Sequence, residues 1–144
     1  MNTFPGNVQP ARQWNPQLLR AMQVVSGVRR EMQSLLPEAL RAGVARVSEV
    51  RIRRWQAALE EAVSLLGQIP VILIFLPPPF AVFIQRAVNQ IEQVLDTLAD
   101  IPIASPRIYP PRPGWGIISL ETLRFMLDDL GQAEALLYRA LQAA

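Results

Sequence analysis

The chain contains no cysteine, no histidine and no lysine. Without cysteine there is no disulfide framework and no thiolate nucleophile. Without histidine, the commonest metal ligand and the side chain best suited to proton transfer near neutral pH are both missing. All 14 basic residues are therefore arginine, which stays charged and pairs bidentately with carboxylates and phosphates. An arginine-favouring codon usage gives the same composition with no chemical cause. Charge is sparse, at 18% of residues against 51% apolar, the reverse of a disordered composition. A chain of 144 residues is long enough for one domain with its own core.

Catalytic patterns are missing as well. The seven glycines are scattered, and Gly114-Trp115-Gly116 lacks the rest of a dinucleotide fingerprint. Carboxylates, serine, tyrosine and arginine remain as candidates. Glu60-Glu61 and Asp128-Asp129 are adjacent pairs, but helical neighbours point about 100° apart, so neither pair converges on one site. Asp128-Asp129 reads as a solvated face. Glu92, Asp96 and Asp100 recur at every fourth position; such a stripe can attract a divalent ion, yet a solvated face or a complement to the arginine-rich helix is simpler. The expectation is a non-enzymatic protein with no catalytic residue, metal or cofactor.

Proline is plentiful, with 13 residues, and it punctuates the chain. Residues 1–15 read as an extended arm carrying Pro5 and Pro10, with Phe4 and Trp14 as anchors. Asn15-Pro16 suits a helix start. Leu18, Met22, Val25, Met32 and Leu35 follow at helical spacing until Pro37 interrupts. A second helix is expected from Glu38 to about Leu66, its stripe running through Leu40, Val44, Val47, Trp55, Leu59 and Leu66. Val50 and Ile52 alternate with arginine as in a strand, but the flanking helical pattern outweighs them.

Residues 69–84 are the most unusual stretch, made up of apolar residues and four prolines. They lie inside a run with no charged side chain between Glu61 and Arg86. That run matches a membrane span by count. Pro77-Pro78-Pro79 breaks any continuous helix. Residues 71–76 are therefore expected to be extended or a short strand, with the prolines launching a helix from Phe80 to Ala99. Residues 100–118 form a proline-rich connector, anchored by Tyr109 and Trp115. Ser119 then caps a last helix striped with Leu120, Leu123, Leu127, Leu130, Leu137 and Leu141.

The fold expected is mainly α: about four helices joined by proline-rich connectors, with room for one short strand or extended segment near residues 71–76. Residues 16–144 form one helical domain behind the arm. Charge is asymmetric, since residues 12–54 carry nine arginines against three glutamates and residues 55–144 carry five against nine acids. That pattern favours contact between copies or pairing within the chain. The expected function is a structural subunit of a homo-oligomer or larger complex, a virion (phage) component being one concrete case. Its apolar contact would use Ile72, Ile74, Phe75, Phe80 and Phe83. Its charged contact would use Arg51, Arg53 and Arg54, with Phe4, Trp14, Tyr109 and Trp115 as anchors. The partners expected are further copies or other assembly subunits. The first alternative is a membrane-associated protein inserting residues 69–84 as a hairpin. The second is a small arginine-rich nucleic-acid-binding protein. No secretory signal peptide is evident in the polar stretch from Met1 to Pro16, so the cytoplasm or an assembled particle is the expected location.

Overall fold

The computed structural model describes residues 14–69, 78–104 and 114–143. The described chain is mainly helical, with four long helices, one short helix and a small sheet. In chain order these are α1 (Asn15–Gln33), α2 (Leu36–Ala42), β1 (Val44–Ser48), α3 (Glu49–Gly67), α4 (Pro78–Ala99), β2 (Ile103–Ala104), β3 (Trp115–Ser119) and α5 (Leu120–Ala143).

The long helices form one bundle because each buries a seam spaced alternately by three and four. In α1 the seam is Leu18, Ala21, Val25, Val28 and Met32. In α3 it is Ile52, Trp55, Leu59, Ala62 and Leu66. Phe80, Ile84, Ala87, Ile91, Val94 and Leu98 continue it in α4, and Leu123, Met126, Leu130, Ala133, Leu137 and Ala140 in α5. A seam of average period about 3.5 favours the shallow crossing of antiparallel bundles. Ion pairs fix the directions. Arg20 meets Glu61 while Arg51 meets Glu31, so α1 and α3 run antiparallel; Arg29 reaches Glu134, joining α1 to α5. Around the ring the order is α1, α3, α4, α5, each helix packing on two neighbours.

The sheet caps the end where α1 and α4 finish and α3 and α5 begin. Its order is β1-β3-β2, both pairings antiparallel, with Val44 opposite Ser119, Ser48 opposite Trp115, and Ala104 also opposite Trp115. Alternation decides what faces the bundle. Ala45, Val47 and Ile118 are buried beneath the sheet, while Val44, Arg46, Trp115 and Ile117 face outward.

Several expectations change here. The helix expected over 38–66 is two helices separated by a strand. Gly43 adopts φ 79°, a left-handed C-cap that ends α2. Ser48 then caps α3 by accepting a hydrogen bond from the Arg51 amide. Residues 50–52, weighed as a strand, are helical; the strand lies at 44–48, where β3, far along the chain, offers a partner. The connector expected over 100–118 contributes two of the three strands. The segment expected to be extended, 71–76, lies outside the described residues. Ser119 caps α5 as expected, accepting from the Thr122 amide at 3.1 Å.

Asp129 also departs from expectation. It is 5% exposed rather than solvated, and its Oδ2 has no hydrogen-bond partner among the described residues. Burial, reinforced by neighbouring Asp128, pushes its carboxyl above the ordinary value of 3.8. The unfolded chain loses this proton first, so stability declines as pH rises from the unfolded value through the raised folded value. Asp129→Asn removes the buried charge. It is expected to raise stability at pH 7 by about 1 kcal/mol and to flatten that decline. Urea unfolding across pH 3–8 checks both.

Candidate interaction surface

Two features of the sheet end combine exposed chemistry with a rigid backbone. The first is the outward face of the sheet. Val44, Trp115 and Ile117 remain 37%, 46% and 42% exposed, and they share one face because strand alternation places them there. The Arg46 guanidinium lies 5.5 Å from the centre of the Trp115 ring, a cation–π arrangement that holds the indole against the sheet. The strand edges are less open. The Arg46 amide on the free side of β1 donates to Glu38 Oε2 at 2.9 Å, and β2 has only two residues. An occupied donor on β1 and the shortness of β2 discourage strand addition, which leaves the face as the larger exposed surface.

The second feature lies where α1 meets α3. Three donors converge on one oxygen, Glu31 Oε1: Arg54 Nη2 at 2.8 Å, Trp55 Nε1 at 3.2 Å and Arg51 Nε at 3.3 Å. The Arg51 guanidinium also lies 5.3 Å from the Trp55 ring centre. Partial burial raises the Glu31 pKa, but hydrogen bonds from Arg54, Trp55 and Arg51 outweigh it and hold the carboxyl below its ordinary value. Arg53 instead joins Glu49, whose other oxygen accepts the Gly114 amide at 3.0 Å. The Gly114 amide, and then Arg53, hold Glu49 below its ordinary value too. The arginine triplet is thus occupied within the chain, tying α3 to α1 and to the start of β3.

Glu31→Ala strands the Trp55 N–H beside two unpaired guanidiniums. Glu31 is 40% exposed, so its ion pairs count for little and the stranded indole dominates. The expected loss is about 1–2 kcal/mol at pH 7, read as a lower urea midpoint with an unchanged slope. A lowered carboxyl pKa contributes stability above the unfolded value, and this is lost as pH falls through the folded one. The difference between wild type and Glu31→Ala should therefore shrink toward pH 3.

Of the residues expected at an apolar contact, Phe80 is fully buried in the bundle's own core, and Phe83 is half-buried and packs on it. Phe80 therefore offers no free contact face, while Phe83 keeps part of its surface exposed. Trp14, expected as an arm anchor, precedes α1 directly and packs on the core. Trp115 belongs to β3. Phe4, Ile72, Ile74, Phe75 and Tyr109 lie outside the described residues. Among the described residues no helix is long and apolar enough to cross a membrane, and no group of three or more acids could hold a metal ion. Val44, Arg46 and Ile117 were not expected at a surface site; the alternations Val44-Ala45-Arg46-Val47 and Trp115-Gly116-Ile117-Ile118 are the signal that marks them.

No family model, curated protein or solved structure matches the chain.

Proposed function

We propose that the chain is a non-enzymatic assembly subunit that docks on a second copy of itself through the outward face of its sheet. The observation that carries this reading is the row Val44, Trp115 and Ile117, exposed together on one face of the sheet. Large apolar side chains clustered on a rigid face mark contact surfaces, and aromatic residues and arginine are enriched in such contacts.

Charge favours a second copy as the occupant. At the sheet end, among the described residues, the α1–α3 side carries Arg30, Arg41, Arg46, Arg51, Arg53 and Arg54 against Glu31, Glu38 and Glu49. The α4–α5 side carries Asp96, Asp100, Glu121 and Asp128 against Arg124. One side is net basic and the other net acidic, so a twofold axis through the sheet lays each basic side over the partner's acidic side. A component of a particle shell or scaffold, such as a virion, is one setting for such a subunit.

Light scattering after size exclusion tests the reading. The expected mass is a multiple of 16.1 kDa that shifts toward monomer at high salt as the complementary charges are screened. A monomer at every concentration would overturn it.

A further inference from the structure

A separate groove runs between α4 and α5, with a volume of about 570 Å³. It lies on a different helix pair from the arginine triplet and away from the sheet. From α4 it takes Arg86, Asn89, Gln90 and Gln93; from α5 it takes Gln132 and Arg139, with Ala135 and Leu136 as an apolar floor. Along the antiparallel helices, Arg86 and Arg139 lie toward the end away from the sheet, and Gln93 and Gln132 toward the sheet. Two helical turns separate the ends along each helix, roughly 10 Å.

The charge in this groove is unbalanced. No carboxylate lines it, and neither Arg86 nor Arg139 forms an ion pair among the described residues, whereas Arg20, Arg29, Arg51, Arg53 and Arg54 all do. Two guanidiniums sharing a cleft repel unless an anion joins them. At the amide end, Gln90 Oε1 is buried with no donor among the described residues, and such an acceptor calls for an N–H or O–H.

We infer that this groove binds a small phosphorylated molecule, with its phosphate between Arg86 and Arg139 and a neutral hydrogen-bonding body over Ala135 and Leu136 toward Gln90. A phosphate monoester carries nearly two negative charges at pH 7 and so balances both arginines, which a single carboxylate does not. Guanidiniums match its oxygens bidentately. The volume lies within the usual range for small-molecule sites, and the separation of the two ends suits a nucleotide or sugar phosphate. Binding in this groove does not require self-association.

The test is titration calorimetry with adenosine monophosphate and glucose 6-phosphate, each beside its dephosphorylated counterpart. At least one phosphate is expected to bind with a Kd of roughly 0.1–1 mM while its counterpart does not. Arg86→Gln with Arg139→Gln should weaken that binding about tenfold or more. Both positions are exposed, so helicity by circular dichroism should be retained. Arg20→Gln, which removes a paired arginine elsewhere, should leave binding unchanged. The inference falls if neither phosphate binds, if the dephosphorylated compounds bind equally, or if the double variant binds like wild type.

Discussion

Replacing Trp115 and Ile117 together with glutamate is expected to reduce the protein to a 16.1 kDa monomer with its fold intact. Both side chains point away from the bundle, so their replacement opens no cavity beneath the sheet, where Ala45, Val47 and Ile118 stay packed. At the contact the effect is large. Two carboxylates would be desolvated near their symmetry mates, and truncation of an aromatic anchor alone commonly costs about 2 kcal/mol or more of binding. With several kcal/mol lost, association constants drop by about three powers of ten or more. Light scattering gives the mass, and far-ultraviolet circular dichroism reports the helices. An oligomer of unchanged mass would show that copies meet elsewhere. Arg46→Gln should act in the same direction but more weakly, because it removes only the guanidinium over the indole and one basic contribution.

Gly114→Ala is expected to be the most damaging of the single methyl additions. A Cβ there would fall on the Ala104 carbonyl oxygen, with Ala104 C at 2.9 Å and Ile103 Cγ2 at 3.0 Å. The glycine has nowhere to retreat. Its carbonyl accepts from the Glu49 amide at 2.9 Å and its own amide donates to the Glu49 carboxylate. Relief requires β2 to leave β3 or the tie to Glu49 to break, at about 2–4 kcal/mol. Self-association should fall in parallel, since Trp115 is the next residue. Gly131→Ala is the contrasting case. Nothing lies within 4 Å of its added Cβ, and it sits inside α5, so it should stabilise by about 0.5–1 kcal/mol through helix propensity. Thermal unfolding of the two variants side by side separates steric collision from chain entropy.

Much of the bundle is legible in the sequence because a helix packs through local periodicity, which one chain displays directly. Asn15-Pro16 and Ser119 mark helix starts, and the prolines at 77–79 mark another. The detail missed in the seams is size. The stripe read from large residues favours Met22 and Leu141, but these flank a centre occupied by Ala21 and Ala140. Small residues at the centre let helices approach, and larger neighbours close over the sides. The sheet was hidden for a different reason. The residues of β1 gain strand geometry only by pairing with β3. A pairing as distant in the chain as Val44 with Ser119 leaves no local trace beyond a short alternation. Gly43 and Ser48 bracket β1 with a stop and a start, yet within an apparently continuous helical pattern they pass unnoticed. The candidate surface inherits that difficulty, because it exists only once β1 and β3 lie side by side. The arginine triplet was visible as a cluster, but the carboxylate that gathers Arg51 and Arg54 sits on another helix, α1.

The up-and-down course of the bundle brings the start of α1 and the end of α5 to one pole. Residue 15, where α1 starts, and residue 143, where α5 ends, both lie at the pole away from the sheet. Each bundle is roughly 35 Å long at about 1.5 Å per helical residue. Two copies closed through their sheets would therefore hold these poles roughly 70 Å apart, facing opposite ways. The start of α1 and the end of α5 would both face away from the contact, so the pair would act as a double-ended strut whose length is set largely by the helices.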